Sequence, residues 1–203
     1  MRNNKILLLP GQCYHIFNHA NGFENLFQNE GNYHYFLEKY AARVNPIAGT
    51  LSYCLMPNHL HLMVRIKSLE YLPLDIQKLN DPKAIALKIS NLFGALFNGY
   101  AQAFNRQQGR MGSLFIPNFK RRPVTHATYY SNLVRYIHYN AVEHGFVSHP
   151  ALWPHSSFMD LLSDRPTHLL RDEVLSSFGG RDGFLAAHDI APDDRVIRFF
   201  NEW

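Results

Sequence analysis

The chain has 203 residues, 46% hydrophobic and 18% charged, a balance that fits a folded domain with a short extension and excludes a disordered polyelectrolyte. No stretch reaches the ~20 apolar residues of a membrane span, and two cysteines, Cys13 and Cys54, allow neither a disulfide framework nor a zinc cluster, so a soluble, cytoplasmic protein with two small core thiols is expected. The net charge of +4 is unevenly spread: residues 83–142 carry eight basic side chains and no acidic one, whereas residues 143–203 carry five basic and ten acidic, so the middle of the chain is the part fitted to face a polyanion.

In chain order, Gln12 to His19 reads as a strand, with Tyr14 and Ile16 on one face and Cys13, His15 and Phe17 on the other. Tyr33, Phe36, Leu37, Tyr40, Ala41 and Val44 recur at helical spacing, and Asn45-Pro46 ends that helix. Gly49 to Leu55 and His59 to Ile66 form a hairpin around the turn residues Pro57-Asn58. The loop from Lys67 to Asn80 carries no periodic signal. Asp81-Pro82 starts a long helix whose stripe is Ile85, Ile89, Leu92, Phe93, Leu96, Tyr100 and Phe104, closed by Gly109. Leu114 to Val124 holds a fourth strand interrupted by Pro117. Thr125 begins a last core helix, with a stripe of Tyr130, Leu133, Val134, Ile137 and Ala141, ending at Gly145. The order β-α-β-β-α-β-α predicts an α+β fold, a ferredoxin-like (RRM-like) antiparallel sheet covered by helices, over residues 1–162. Residues 163–203 read as an acidic extension of one or two short helices around Gly179-Gly180.

Three features carry chemistry. In His59-Leu60-His61 strand alternation puts both imidazoles on one face, roughly 6–7 Å apart along the strand, where they can share a divalent ion. Leu60, Leu62, Val64 and Ile66 then point to the opposite, apolar face. On the last core helix Tyr136 and Asn140 lie one turn apart on one flank of the stripe, with Tyr129 on the same flank and Tyr139 turned to solvent. Between these elements Arg106, Arg110, Lys120, Arg121 and Arg122 are interleaved with Phe115 and Phe119, a pattern of cations for phosphates and rings for bases that suits single-stranded nucleic acid. Each feature also has a plain structural reading: paired core histidines, a packing tyrosine, a solvated basic loop.

Five segments in order resemble the REP-associated tyrosine transposases of the single-tyrosine HUH superfamily. They are Tyr14-His15-Ile16-Phe17-Asn18, Leu55-Met56-Pro57-Asn58-His59-Leu60-His61, Leu114-Phe115 through Phe119-Lys120, Tyr136-Ile137-His138-Tyr139-Asn140, and Trp153-Pro154-His155-Ser156-Ser157-Phe158. The resemblance spans about residues 12–160 and implies an HUH nuclease fold. It implies that His59 and His61 hold magnesium or manganese, that Tyr136 is the nucleophile, and that Asn140 completes the metal site where relatives often have glutamine. Glu143 and His144 stand nearby as alternatives to Asn140. Imidazole suits zinc, nickel or copper better than magnesium, so such a site would bind magnesium loosely without added phosphate oxygens.

The implied activity is cutting and rejoining of single-stranded, hairpin-forming DNA through a 5′-phosphotyrosine, in a bacterial-type, nucleoid-associated protein. Two other readings fit the same residues: a hairpin-binding regulator that does not cleave, and an H-x-H metal hydrolase of a small molecule. The acid-free middle third argues against the hydrolase, because a small neutral substrate needs no such field.

Overall fold

The computed structural model describes residues 6–201. Its elements run β1 (Cys13–His19), α1 (Glu30–Val44), β2 (Ala48–Leu55), β3 (His59–Ile66), α2 (Leu74–Gln77), α3 (Pro82–Gln108), β4 (Lys120–Val124), α4 (Ala127–Glu143), α5 (Phe158–Leu162), α6 (Arg171–Ser177), α7 (Arg181–His188) and α8 (Asp194–Asn201). The strands form one antiparallel sheet in the order β2-β3-β1-β4. This is the ferredoxin-like arrangement expected from the sequence, with α1 and α3 on one face and α4 on the other.

The alternation of side chains decides what each face becomes. Tyr14 and Ile16 of β1 and Leu60, Leu62, Val64 and Ile66 of β3 enter one core beneath α1 and α3. Cys13 and Met63 enter a second core with Leu133, Val134, Tyr136, Ile137 and Ala141 of α4. Fully burying an aliphatic side chain of this kind contributes roughly 1.5–3 kcal/mol, which is why the alternation fixes the register. Both cysteines are buried and unbridged.

The helix ends follow local chemistry. Asp81 caps α3 by accepting the N–H groups of Lys83 and Ala84. Gly109 and Gly145, at φ 61° and 72°, supply the left-handed residues that end α3 and follow α4.

Several boundaries differ from the expectation. The stretch 67–80 contains a 3-10 turn at Leu69–Tyr71 and the short helix α2. Continuous pairing of β4 begins at Lys120 rather than Leu114, since the chain before it makes a single bridge, Ala20 to Phe115, ahead of Pro117. Pro123 sits within β4, which is tolerated because β4 is an edge strand. Helix α4 starts at Ala127, where the His126 imidazole accepts the Tyr129 N–H. The C-terminal segment forms three helices, α6 to α8, not one or two. Val174, Phe184 and Phe200 from these helices complete the α4-side core. Among the described residues, no helix is long and apolar enough to cross a membrane.

The other sheet edge, β2, is covered by the Trp153–Phe158 segment. The Ser157 N–H donates to Tyr53 O, the Leu55 N–H to His155 O, and the Trp153 indole N–H to Leu55 O. A covered edge cannot template pairing with another chain.

Candidate active site

The site lies between the central strands and α4. Strand β3 presents His59 and His61 on the α4 face, and β1 presents His15, Phe17 and His19 on the same face through the register His15↔Met63 and Phe17↔His61. Helix α4 contributes Tyr136 and Asn140 one turn apart. The result is a buried group: His59 is 3% exposed, Tyr136 1% and Asn140 0%.

The geometry joins the residues singled out from the sequence. His59 Nε2 lies 2.6 Å from Asn140 Oδ1. His61 Nε2 lies 3.5 Å from the Tyr136 hydroxyl. The imidazoles of His59 and His61 stand 5.2 Å apart, edge to face. Two further contacts orient the rings: His61 Nδ1 and His15 Nε2 share a hydrogen bond of 2.9 Å, and His59 Nδ1 faces Asn58 Oδ1 at 2.8 Å. His144, one turn beyond Asn140, places its ring 4.9 Å from that of His59.

Burial makes these imidazoles weak bases. It holds His59 and His15 down at about 3, and His61 well below its ordinary value, with neighbouring histidines adding to the effect on His61. All three are neutral at physiological pH, the form in which a ring nitrogen can bind a metal. The Tyr136 hydroxyl is pushed up, chiefly by burial, so it needs activation to act as a nucleophile.

The donor set fits a divalent cation at one specific point. Neutral His59 carries one N–H but faces an oxygen at each nitrogen, so one of the two contacts sets lone pair against lone pair. A cation between His59 Nε2 and Asn140 Oδ1 removes that conflict, as does turning the Asn140 amide, whose buried Nδ2 has no hydrogen-bond partner among the described residues. With the His61 ring 5.2 Å from that of His59, the residues that could hold a cation are His59, His61 and Asn140: two imidazoles and one amide oxygen. Among the described residues no group of three His, Cys, Asp or Glu is placed to do so.

The tyrosines separate clearly. Tyr130 is half-buried and donates to Glu173 Oε1 at 3.3 Å. Tyr139 is half-buried rather than fully turned to solvent. Tyr129 stacks on Phe200, ring centroids 5.3 Å apart. Of these four tyrosines, Tyr136 is the one that meets His61 among the described residues. It too is covered by α8, since the Phe200 ring lies 4.9 Å from it and 6.0 Å from that of His15.

The basic and aromatic residues divide. Lys120 and Arg122 pair with Phe17 and His15 and share their face of the sheet, whereas Arg121 pairs with Ile16 and turns to the α3 face. The run Lys120-Arg121-Arg122 is therefore not one patch, because strand alternation splits it. Arg122 donates to Phe199 O at 2.6 Å, which ties it to the end of α8. Arg110 is held by Glu24 at 2.8 Å and by Asn105, while Arg106 is exposed near the end of α3. Phe115 is 6% exposed and packs on Phe97, so its ring is not an open stacking platform.

Sequence reasoning missed His15, Asn58 and Phe200. His15 already sat on the correct face of β1 and Asn58 in the hairpin turn. Neither signal reveals a partner until the β1–β3 register is known.

The sequence matches no family model and no curated protein. A solved structure does match: a REP-associated tyrosine transposase bound to a REP hairpin, with a TM-score of 0.54 and 19% identity, over 80% of this chain and 86% of that one. This chain has the fold of that transposase. At such low identity the likeness concerns the path of the backbone, and the chemistry has to be argued from the side chains described above.

Proposed function

We propose that this protein is a metal-dependent HUH-type transesterase that cuts and rejoins single-stranded hairpin DNA through Tyr136. The observation that carries this reading is the meeting of Tyr136, Asn140, His59 and His61, from two separate elements, at 2.6 and 3.5 Å. The shared fold with a hairpin-bound transposase supports DNA as the partner.

In this reading Tyr136 Oη attacks the scissile phosphorus. The Tyr136 O–H proton passes to solvent as the Tyr–O–P bond forms, the P–O3′ bond breaks, and the leaving 3′ oxygen takes up a proton in return, with no net change. The product is a 5′-phosphotyrosine and a free 3′-OH, and the covalent link conserves the bond energy needed for rejoining. A divalent cation, magnesium or manganese, held by His59, His61 and Asn140 would polarise a phosphate oxygen. Asn58 and His15 hold the two imidazoles from behind, as outer partners of metal-binding histidines commonly do. His61 Nε2 faces the tyrosine hydroxyl but cannot serve as cation ligand and proton acceptor at once. The Phe200 ring shields Tyr136, so α8 has to shift before a phosphate can reach the hydroxyl.

That same contact favours a second reading, a hairpin-binding regulator without cleavage. Labelled hairpin DNA incubated with the protein and manganese, then run on a denaturing gel, separates the two. The transesterase leaves a protein–DNA adduct and the regulator leaves none.

A further inference from the structure

A cavity of about 720 Å³ opens between the outer side of α3 and the loop at 112–119, on the face of the sheet opposite His59 and His61. Asn18 of β1 and Arg121 of β4 line it from the sheet. Strand alternation thus makes β1 and β4 a shared wall, with Phe17, His19, Lys120 and Arg122 toward the active site and Asn18 and Arg121 toward this groove. From α3 come Asn91, Gly94, Asn98 and Gln102, spaced three, four and four residues apart, which is one helical stripe. The three amide residues are exposed.

Arg121 is the feature that points to a ligand. It is 7% exposed, and its buried Nε has no hydrogen-bond partner among the described residues. Its guanidinium lies over the Phe119 ring, 4.3 Å from the centroid. Among the described residues, none that lines the cavity is acidic. A buried guanidinium N–H without an acceptor is costly, and the groove that Arg121 lines is open to an anion from outside. A planar guanidinium matches phosphate oxygens. Asn and Gln side chains pair with base edges, and a row of them beside a phosphate-binding arginine has the layout of a nucleotide strand.

We propose that this groove binds a short stretch of single-stranded DNA, with Arg121 on a phosphate and Asn91, Asn98 and Gln102 on base edges. It rests on the DNA reading given above but uses a different face of the sheet. A strand rounding the β4 edge meets cations on both sides, from Lys120 and Arg122 to Arg121, so base selection and cleavage are divided between the two faces.

Gly94 provides the test. A Cβ built there meets nothing within 4 Å, so the side chain of Gly94→Phe starts into the open space of the groove. The full chain is titrated with a mixed-sequence single-stranded pentanucleotide. The Arg121 Nε–H signal is followed by NMR and affinity by fluorescence anisotropy, with hairpin adduct formation as a parallel arm. The expected result is a shifted Arg121 signal, affinity at least fivefold weaker in Gly94→Phe, and an unchanged circular dichroism spectrum. An Arg121 signal indifferent to the oligonucleotide, or equal affinity in both proteins, overturns the groove. If adduct still forms on hairpin DNA, the transesterase reading survives that loss; if no DNA is bound or cut, both fall. An equal response to inorganic phosphate, or a stronger one to an acidic peptide or to RNA, also overturns the proposal.

Discussion

His59 Nε2 and Asn140 Oδ1 lie 2.6 Å apart, joining a central strand of the sheet to the helix that carries Tyr136. If a cation sits between them, the amide oxygen is a ligand and its charge tunes affinity. Asn140→Asp should tighten manganese binding in calorimetry without DNA, and Asn140→Leu should weaken it at least tenfold. Equal affinities in the three proteins would move the third ligand elsewhere, with His144 the next candidate.

The contact between Phe200 and Tyr136 makes a separate prediction. A variant ending at Asp193 lacks α8 and uncovers the hydroxyl. Its rate of adduct formation should rise by about tenfold or more, corresponding to roughly 1.4 kcal/mol no longer spent on moving the helix. The α4-side core also loses the Phe200 ring, so thermal stability should fall in the same variant. A slower or equal rate would mean that α8 does not guard the site.

Salt dependence tests where the DNA runs. Lys120 and Arg122 share the face of the sheet that carries His59 and His61. Replacing both with alanine should reduce the slope of log affinity against log salt by about 1.4, at about 0.7 per single-strand phosphate contact. His59→Ala should leave most of that slope and of the hairpin affinity intact while abolishing cleavage. An unchanged slope in the double variant would place the DNA path off β4.

Acid should destabilise the fold. Burial holds His15 and His59 at about 3 and His188 at about 4, against 6.5 when unfolded. A histidine depressed in the folded state contributes stability that is complete above pH 6.5 and is lost as pH falls toward its folded value. At pH 5 the loss is roughly 2 kcal/mol per such histidine. Melting temperature should therefore drop by at least about 5 °C between pH 7.5 and 5. A constant or rising value would contradict the neutral, buried assignment.

Much of this was legible in the sequence because two periodicities carry it. Alternation along His59–Ile66 put the histidines on one face and Leu60, Leu62, Val64 and Ile66 on the other, as observed. The 3.6-residue repeat of α4 placed Tyr136 beside Asn140 on the flank facing the sheet. What stayed hidden depends on contacts between distant segments. The β4 start at Lys120 could not be fixed, because Pro117 and the preceding loop blur the alternation, so the opposite facing of Arg121 and Arg122 went unread. His15 was on a known face, but its bond to His61 needs the β1–β3 register. Phe200 lies 64 positions from Tyr136, and nothing local in α8 announces that its ring closes the site.

Tyr136→Phe tests the central claim most directly. The exchange removes one hydroxyl oxygen and keeps the ring that packs on Phe200 and His61. Wild type and variant are incubated with end-labelled hairpin DNA and manganese, and covalent adduct is measured on a denaturing gel beside hairpin affinity by anisotropy. The account predicts equal hairpin affinity, an unchanged melting temperature, and no adduct from the variant. A phosphotyrosine adduct that persists in Tyr136→Phe would contradict it and pass the role of nucleophile to Tyr129.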